Sequence, residues 1–182
     1  RRIMTMTLYA NGVIEGFNGT SMPSGSVLQV QSTTKTDTWS ESGINEGAHS
    51  GAAISVTITP SSNSSKIFIM ASLSIGLDND NEVSFAFFRG GSILTNAIGD
   101  TASSRTRTSF VGKCEATSSI EGVSGWFLDS PNTTNATTYD CRLSHGVNGG
   151  NRTMYLNRSH SDTNADQDSR AISTITVYEV KG

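Results

Sequence analysis

The stretch Ile54-Ser-Val-Thr-Ile-Thr-Pro-Ser-Ser-Asn-Ser-Ser-Lys-Ile67-Phe-Ile-Met-Ala-Ser-Leu-Ser-Ile75 decides the fold. Its first five residues alternate apolar and polar, the pattern of a strand with one buried and one solvated face. Pro60 has no N–H to give to a ladder and ends that strand, and the Ser/Asn run to Ser65 is turn chemistry. The alternation then resumes, with Ile67, Ile69, Ala71, Leu73 and Ile75 on one face. Phe68 and Met70 occupy the other face, so the first half of this strand is expected to be covered on both sides. A strand, a polar turn and a strand make an antiparallel unit.

Working outward, the same rhythm marks strands over 27–30, 36–41 (carrying Trp39), 83–88, 92–98, 106–114, 123–128, 137–143, 153–156 and 172–180. The last is apolar on both faces, which belongs in the centre of a sheet. About ten strands spaced roughly 10–16 residues apart predict an antiparallel β-sandwich. A jelly roll is the leading topology. Composition agrees: 28 Ser, 22 Thr, 18 Gly and 13 Asn stand among 182 residues. Thr favours strands, whereas Gly, Asn and Ser favour turns. No stretch keeps a 3.6-residue apolar period, so long helices are excluded.

Residues 26–182 are therefore expected to form one β-sandwich domain, and residues 1–25 an arm or linker. Asn11-Gly12, Glu15-Gly16, Asn18-Gly19 and Pro23-Ser-Gly25 interrupt the arm repeatedly. Its apolar residues Leu8, Tyr9, Val13, Ile14 and Phe17 are candidates for contact with a partner. Met4 or Met6 would serve as a natural start, giving a nearly complete small protein; a piece of a longer chain fits the text equally.

Charge and motifs narrow the function. The net charge of −3 gives no general attraction to nucleic acid. The apolar runs fall short of the ~18 residues of a spanning helix, and no positively charged start leads into an apolar signal region. No partner membrane is expected. Gly-x-Ser-x-Gly, Gly-x-Gly-x-x-Gly, Walker and His-Glu-x-x-His patterns are absent. No enzyme, no catalytic residue and no cofactor are therefore expected.

Weaker signals remain. Cys114 and Cys141 sit inside strands and are read as two buried thiols rather than a bridge. His49, His145 and His160 fall in polar segments and are read as surface residues. Asp78, Asp80 and Glu82 alternate, as do Asp162, Asn164, Asp166 and Asp168. Alternating oxygen donors suit Ca²⁺, yet neither run has the glycine and distant bidentate Glu of a calcium hand, so solvated loops are the expectation. Six Asn-x-Ser/Thr triplets, at Asn18, Asn63, Asn132, Asn135, Asn151 and Asn157, are near what this composition gives by chance.

Several segments carry a resemblance. In order they are Gly25-Ser-Val-Leu-Gln-Val30, Ser55 through Ile67, Phe88-Arg-Gly-Gly-Ser-Ile93, Leu128-Asp-Ser-Pro131, Thr138-Tyr139, Leu156-Asn-Arg-Ser159 and Ala171 through Val180. This ordered set resembles a family of tailed-bacteriophage virion structural proteins over roughly residues 25–180. Arg89-Gly90-Gly91 stands where that family often has Arg-Asp-Gly, which argues against a shared ligand at the turn. The resemblance implies a β-rich module of the particle's outer surface, without catalytic residues. It also implies a homotrimer, as in C1q-like and tumour-necrosis-factor-like jelly rolls. Phe68, Phe88 and Tyr178 are candidates for the trimer flank.

The leading expectation is a capsid decoration (cement) protein that binds the major capsid protein through its arm and stabilises the shell. The alternative is a tail-fibre or head-fibre tip that binds a host glycan or surface receptor. Loops 78–82, 129–137 and 145–152 would then carry recognition, with Trp39 and Trp126 as stacking surfaces. Trp126, between Gly125 and Phe127, reads more readily as core. A secreted C1q-like domain is the third expectation.

Overall fold

The computed structural model describes residues 7–8, 14–15, 22–166 and 168–182. In chain order the strands are β1 (Thr7–Leu8), β2 (Ile14–Glu15), β3 (Val27–Lys35), β4 (Trp39–Asn45), β5 (Ala52–Ile58), β6 (Lys66–Leu77), β7 (Glu82–Arg89), β8 (Ser92–Ile93), β9 (Phe110–Lys113), β10 (Glu121–Asp129), β11 (Thr137–His145), β12 (Asn151–Leu156) and β13 (Ser173–Val180). One 3₁₀ turn, Thr95–Ala97, is the only helical element among the described residues. β1 and β2 pair with each other alone.

The other strands form two antiparallel sheets packed face to face, a β-sandwich. The larger has β3-β13-β6 in order. β6 is long enough to take β13 and then β12 along one side, with β10 along the other: Ile75 pairs both Glu121 and Leu156. β4 lies outside β12. The smaller sheet runs β5-β11-β7, and β7 then pairs β9 at its start and β8 at its end.

The alternation explains the core. Ile67, Ile69, Ala71, Leu73 and Ile75 of β6 are buried, as expected. Val83, Phe85 and Phe87 of β7 face them, with Tyr139, Cys141 and Leu143 of β11 and Ile175 and Val177 of β13. Phe85 and Phe87 meet edge to face at 5.3 Å. β13 lies between β3 and β6, the central position its two apolar faces call for. One side of the sandwich is closed by Phe110 of β9, which lies against Gly125 of β10. A Cβ on Gly125 would fall 2.2 Å from that ring, so glycine supplies the slot.

Several expectations are corrected. The strand expected over 92–98 is only Ser92–Ile93. The one expected from 106 begins at Phe110, because the Thr108 hydroxyl and Ser109 N–H both donate to the Phe85 carbonyl. The other face of β6 is not covered among the described residues: Met70 is exposed and Phe68 half-buried. His145 is not a surface residue but fully buried at the end of β11. Its Nδ1 accepts the Val147 N–H at 3.2 Å, so its Nε2 carries the proton and donates to the Ile44 carbonyl at 2.9 Å. Cys114 and Cys141 are both buried and free. Cys141 lies within β11 as expected, but Cys114 falls just past the end of β9, and β7 separates these two strands. Burial pushes both thiols above the usual thiol range.

Candidate interaction surface

The outer face of the larger sheet is the feature that stands out from the rest of the surface. Register aligns its outward residues into rows. Val30 of β3, Tyr178 of β13, Phe68 of β6 and Leu128 of β10 form one row across four strands. The next holds Ser32, Thr176, Met70 and Trp126. Trp126 is 62% exposed, Val30 48%, Leu128 45% and Met70 41%. The Phe68 and Tyr178 rings lie 6.2 Å apart and tilted. The second row already turns polar, with Ser32 and Thr176 hydrogen-bonded at 2.8 Å, and beyond it Ser124 and Ser72 are joined at 2.9 Å.

Two of the three trimer candidates, Phe68 and Tyr178, thus share one exposed row. Phe88 does not join them. It lies on the smaller sheet, 8% exposed, with the Arg142 guanidinium 4.3 Å above its ring and His49 edge-on at 5.5 Å. Asp140 holds Arg142 in place at 2.8 Å. His49 is half-buried and its Nε2 has no hydrogen-bond partner among the described residues; burial, reinforced by Arg142, holds its pKa below the usual imidazole range. Of the arm candidates, Leu8 and Ile14 pair across β1 and β2, while Tyr9, Val13 and Phe17 lie outside the described residues.

Trp126 is an outward residue, not core, because Gly125 and Phe127 take the inward side of β10. Trp39 instead packs against the core. The three recognition loops do not converge. Loops 78–82 and 145–152 share one pole, where Asp78 accepts the Thr153 N–H at 2.8 Å and Gly146 N–H donates to the Glu82 carbonyl at 3.1 Å. Loop 129–137 lies at the opposite pole, since Asp129 pairs Ile67 and Thr137 pairs Ile58.

Among the described residues, three buried polar side chains each tie several elements together. Asp129 of β10 accepts the Tyr139 hydroxyl at 2.7 Å and Arg89 at 2.6 Å, joining the two sheets. Burial, together with the Asp129 carboxylate, pushes the Tyr139 phenol well above its usual range. Asn157, fully buried at φ 66°, donates to the Lys35 and Asp37 carbonyls and accepts the Ser173 hydroxyl. Its amide is fully engaged, so this triplet offers no glycan acceptor in the folded chain. Glu179, also fully buried, gathers the 59–65 turn.

The acidic loop at 162–168 is likewise occupied. Asp162 pairs with Arg158 at 2.8 Å and Arg170 at 2.7 Å, and Asp168 accepts from Ser159 and Thr163. Those hydrogen bonds hold the Asp168 carboxyl below the usual range. Among the described residues no three His, Cys, Asp or Glu side chains converge to hold a metal ion.

The sequence pointed to Phe68, Met70 and Tyr178, but not to Val30, Trp126 and Leu128 beside them, because cross-strand register is a long-range property. The trace of the face was there: Phe68 and Met70, Trp126 and Leu128, and Tyr178 and Val180 each put apolar pairs on the second face of a strand. No protein-family model matches the chain, and no curated protein sequence matches it.

Proposed function

We propose that this chain is a structural protein of a tailed-bacteriophage particle. It is a jelly-roll module that decorates the outer shell as a homotrimer and is tied to the major capsid protein by its N-terminal arm. The strand order β3-β13-β6-β10 over β5-β11-β7-β9 supports the jelly roll, since two interleaved Greek keys draw their strands alternately from two sheets.

The observation that carries the reading is the root of the arm. Gly25 N–H donates to the Lys181 carbonyl at 2.7 Å, and Lys181 N–H donates to the Ser26 carbonyl at 2.8 Å. The Lys181 ammonium also reaches the Met22 carbonyl. The arm therefore leaves a rigid sandwich at one defined pole, beside the C-terminal residue and away from loops 78–82 and 145–152. Such a module contributes by bridging, not by chemistry: the arm lies along a shell subunit and can add main-chain hydrogen bonds to its sheet edge.

Deleting residues 1–21 keeps the clamp from Met22 onward. It should leave the melting transition in place and abolish binding to purified capsids; full occupancy by the truncated protein would remove the arm from the reading. Quantitative mass spectrometry of particles should give hundreds of copies in simple ratio to the shell protein. The exposed Trp126 ring favours one second reading, a fibre tip that stacks on a host glycan. A few copies per particle would turn the assignment to it.

A further inference from the structure

We infer that the cavity between the β7–β8 hairpin and the end of β10 is a binding site for a neutral sugar, held by Arg89 and Asp129. This goes beyond the shell reading above, which gives the cavity no role, and it places a sugar elsewhere than on the exposed Trp126 ring.

Three observations carry it. The first is an unspent carboxylate oxygen. The Asp129 side chain is only 10% exposed. Its Oδ2 accepts both the Tyr139 hydroxyl, at 2.7 Å, and Arg89 Nη1, at 2.6 Å. Its Oδ1 has no hydrogen-bond partner among the described residues, yet it is not sealed from solvent. A buried acceptor is normally satisfied. This one stands in the wall of a cavity of about 340 Å³, within the ~300–1,000 Å³ of small-molecule sites.

The second is the donor set beside it. Arg89 spends Nη1 on Asp129 and the Ser130 carbonyl, while Nε and Nη2 have no hydrogen-bond partner among the described residues. The Asp129 contact fixes the guanidinium, so those N–H groups are held in place before a ligand arrives. Asn96 of the 3₁₀ turn and Asn132 of loop 129–137 add amides to the rim. A hydroxyl both donates and accepts. An acceptor beside fixed donors therefore suits adjacent hydroxyls, one donating to Asp129 Oδ1 and the next accepting from Arg89.

The third is balance. One guanidinium and one carboxylate cancel, so the cavity gives a phosphate or a carboxylate no net attraction, and Oδ1 repels either. Ile93 and Leu128 supply an apolar wall. Hydroxyls around an edge and C–H groups on a face are the chemistry of a pyranose ring. The cavity shares its pole with the root of the arm, but lies on the β8–β10 side and not at the β3 edge.

The test is an NMR titration of the full chain, nitrogen-labelled, with the methyl glycosides of glucose, galactose, mannose and N-acetylglucosamine. At least one should shift the Arg89 Nε–H and the Asn96 and Asn132 side-chain amides and saturate with a Kd on the order of 1 mM, as suits so small a ligand. Arg89→Lys keeps a charge opposite Asp129 but loses the fork, and should weaken binding about 10-fold or more. Asn96→Ala with Asn132→Gly is the second variant, in case the first disturbs the melting transition. Glycine accepts the φ of 52° at position 132, and binding should again fall about 10-fold. Trp126→Ala should bind as wild type does. No shift with any of these glycosides would overturn the site, as would a folded Arg89 or asparagine variant that binds as tightly as wild type. Tighter binding of methyl glucuronide or inorganic phosphate would overturn the neutral ligand, and loss of binding in Trp126→Ala would move the sugar to that ring. Capsid binding on the same samples separates the two readings. A wild type that binds shells but no glycoside overturns only this site; one that binds a glycoside here but never shells overturns only the virion assignment.

Discussion

Replacing Glu179 by alanine should cost about 3–4 kcal/mol of stability, the range for stripping a buried, multiply bonded carboxylate of its role. Glu179 is fully buried near the end of β13. One carboxylate oxygen accepts the Ser61 N–H, the Ser61 hydroxyl and the Ser65 hydroxyl, each at 2.6 Å, and the other accepts Gln29 Nε2 at 2.7 Å. The group ties the 59–65 turn, β3 and β13 into one unit. Alanine would leave those donors without an acceptor.

Burial raises the Glu179 pKa, but the hydrogen bonds from Ser61, Ser65 and Gln29 outweigh it and hold the carboxyl below its usual range. The sign follows. A folded pKa below the unfolded value gives stability that is complete above the unfolded pKa of ~4.3 and is lost as pH falls through the folded one. Urea unfolding of wild type and Glu179→Gln should therefore differ more near neutral pH than at acid pH below the folded pKa. An equal gap at both would mean that shape, not charge, holds the turn.

Gly76→Ala is expected to cost about 3 kcal/mol or more, at or beyond the upper end for overpacking. A Cβ on Gly76 would lie 2.3 Å from the Arg158 carbonyl oxygen. Both partners are backbone: β6 runs beneath the chain where it turns out of β12, so no side chain can swing aside. Gly122→Ala on β10 is the matched control. Nothing lies within 4 Å of its added methyl, and the change should stay within about 0.5 kcal/mol. Equal denaturation midpoints for the two variants would show that the crossing above Gly76 yields.

How much of this was legible in the sequence depends on the range of the forces. β5, β6, β7 and β13 were, because period-two alternation is written residue by residue. β3 was read only as far as Val30 because Gln31 to Lys35 are polar; pairing with β13 carries the strand on. Residues 106–109 have strand composition, yet one hydroxyl and one N–H spent on Phe85 end the ladder early. His145 looked like a loop residue because its partners, Ile44 and Val147, are backbone groups that no side-chain pattern announces. Trp126 was misread for a related reason: its neighbours suggested core, while its parity on β10, fixed only by pairing with β6, points it outward. Phe68 and Tyr178 were singled out correctly as second-face residues, but Phe88 shows that second-face does not mean open. Whether such a face is covered depends on side chains like Arg142 that arrive from elsewhere in the chain.

The clamp between Gly25 and Lys181 has a mechanical consequence. Val27 pairs Val180 where the chain enters β3 and leaves β13. Tension applied between the two ends would peel these strands apart one hydrogen-bonded pair at a time, the compliant way to load a ladder. Under the arm tether proposed above, a load that enters at β3 and leaves anywhere but the end of β13 does not peel this pair. Stress is then spread across the ladders of the whole larger sheet, which is the stiff direction of this sandwich.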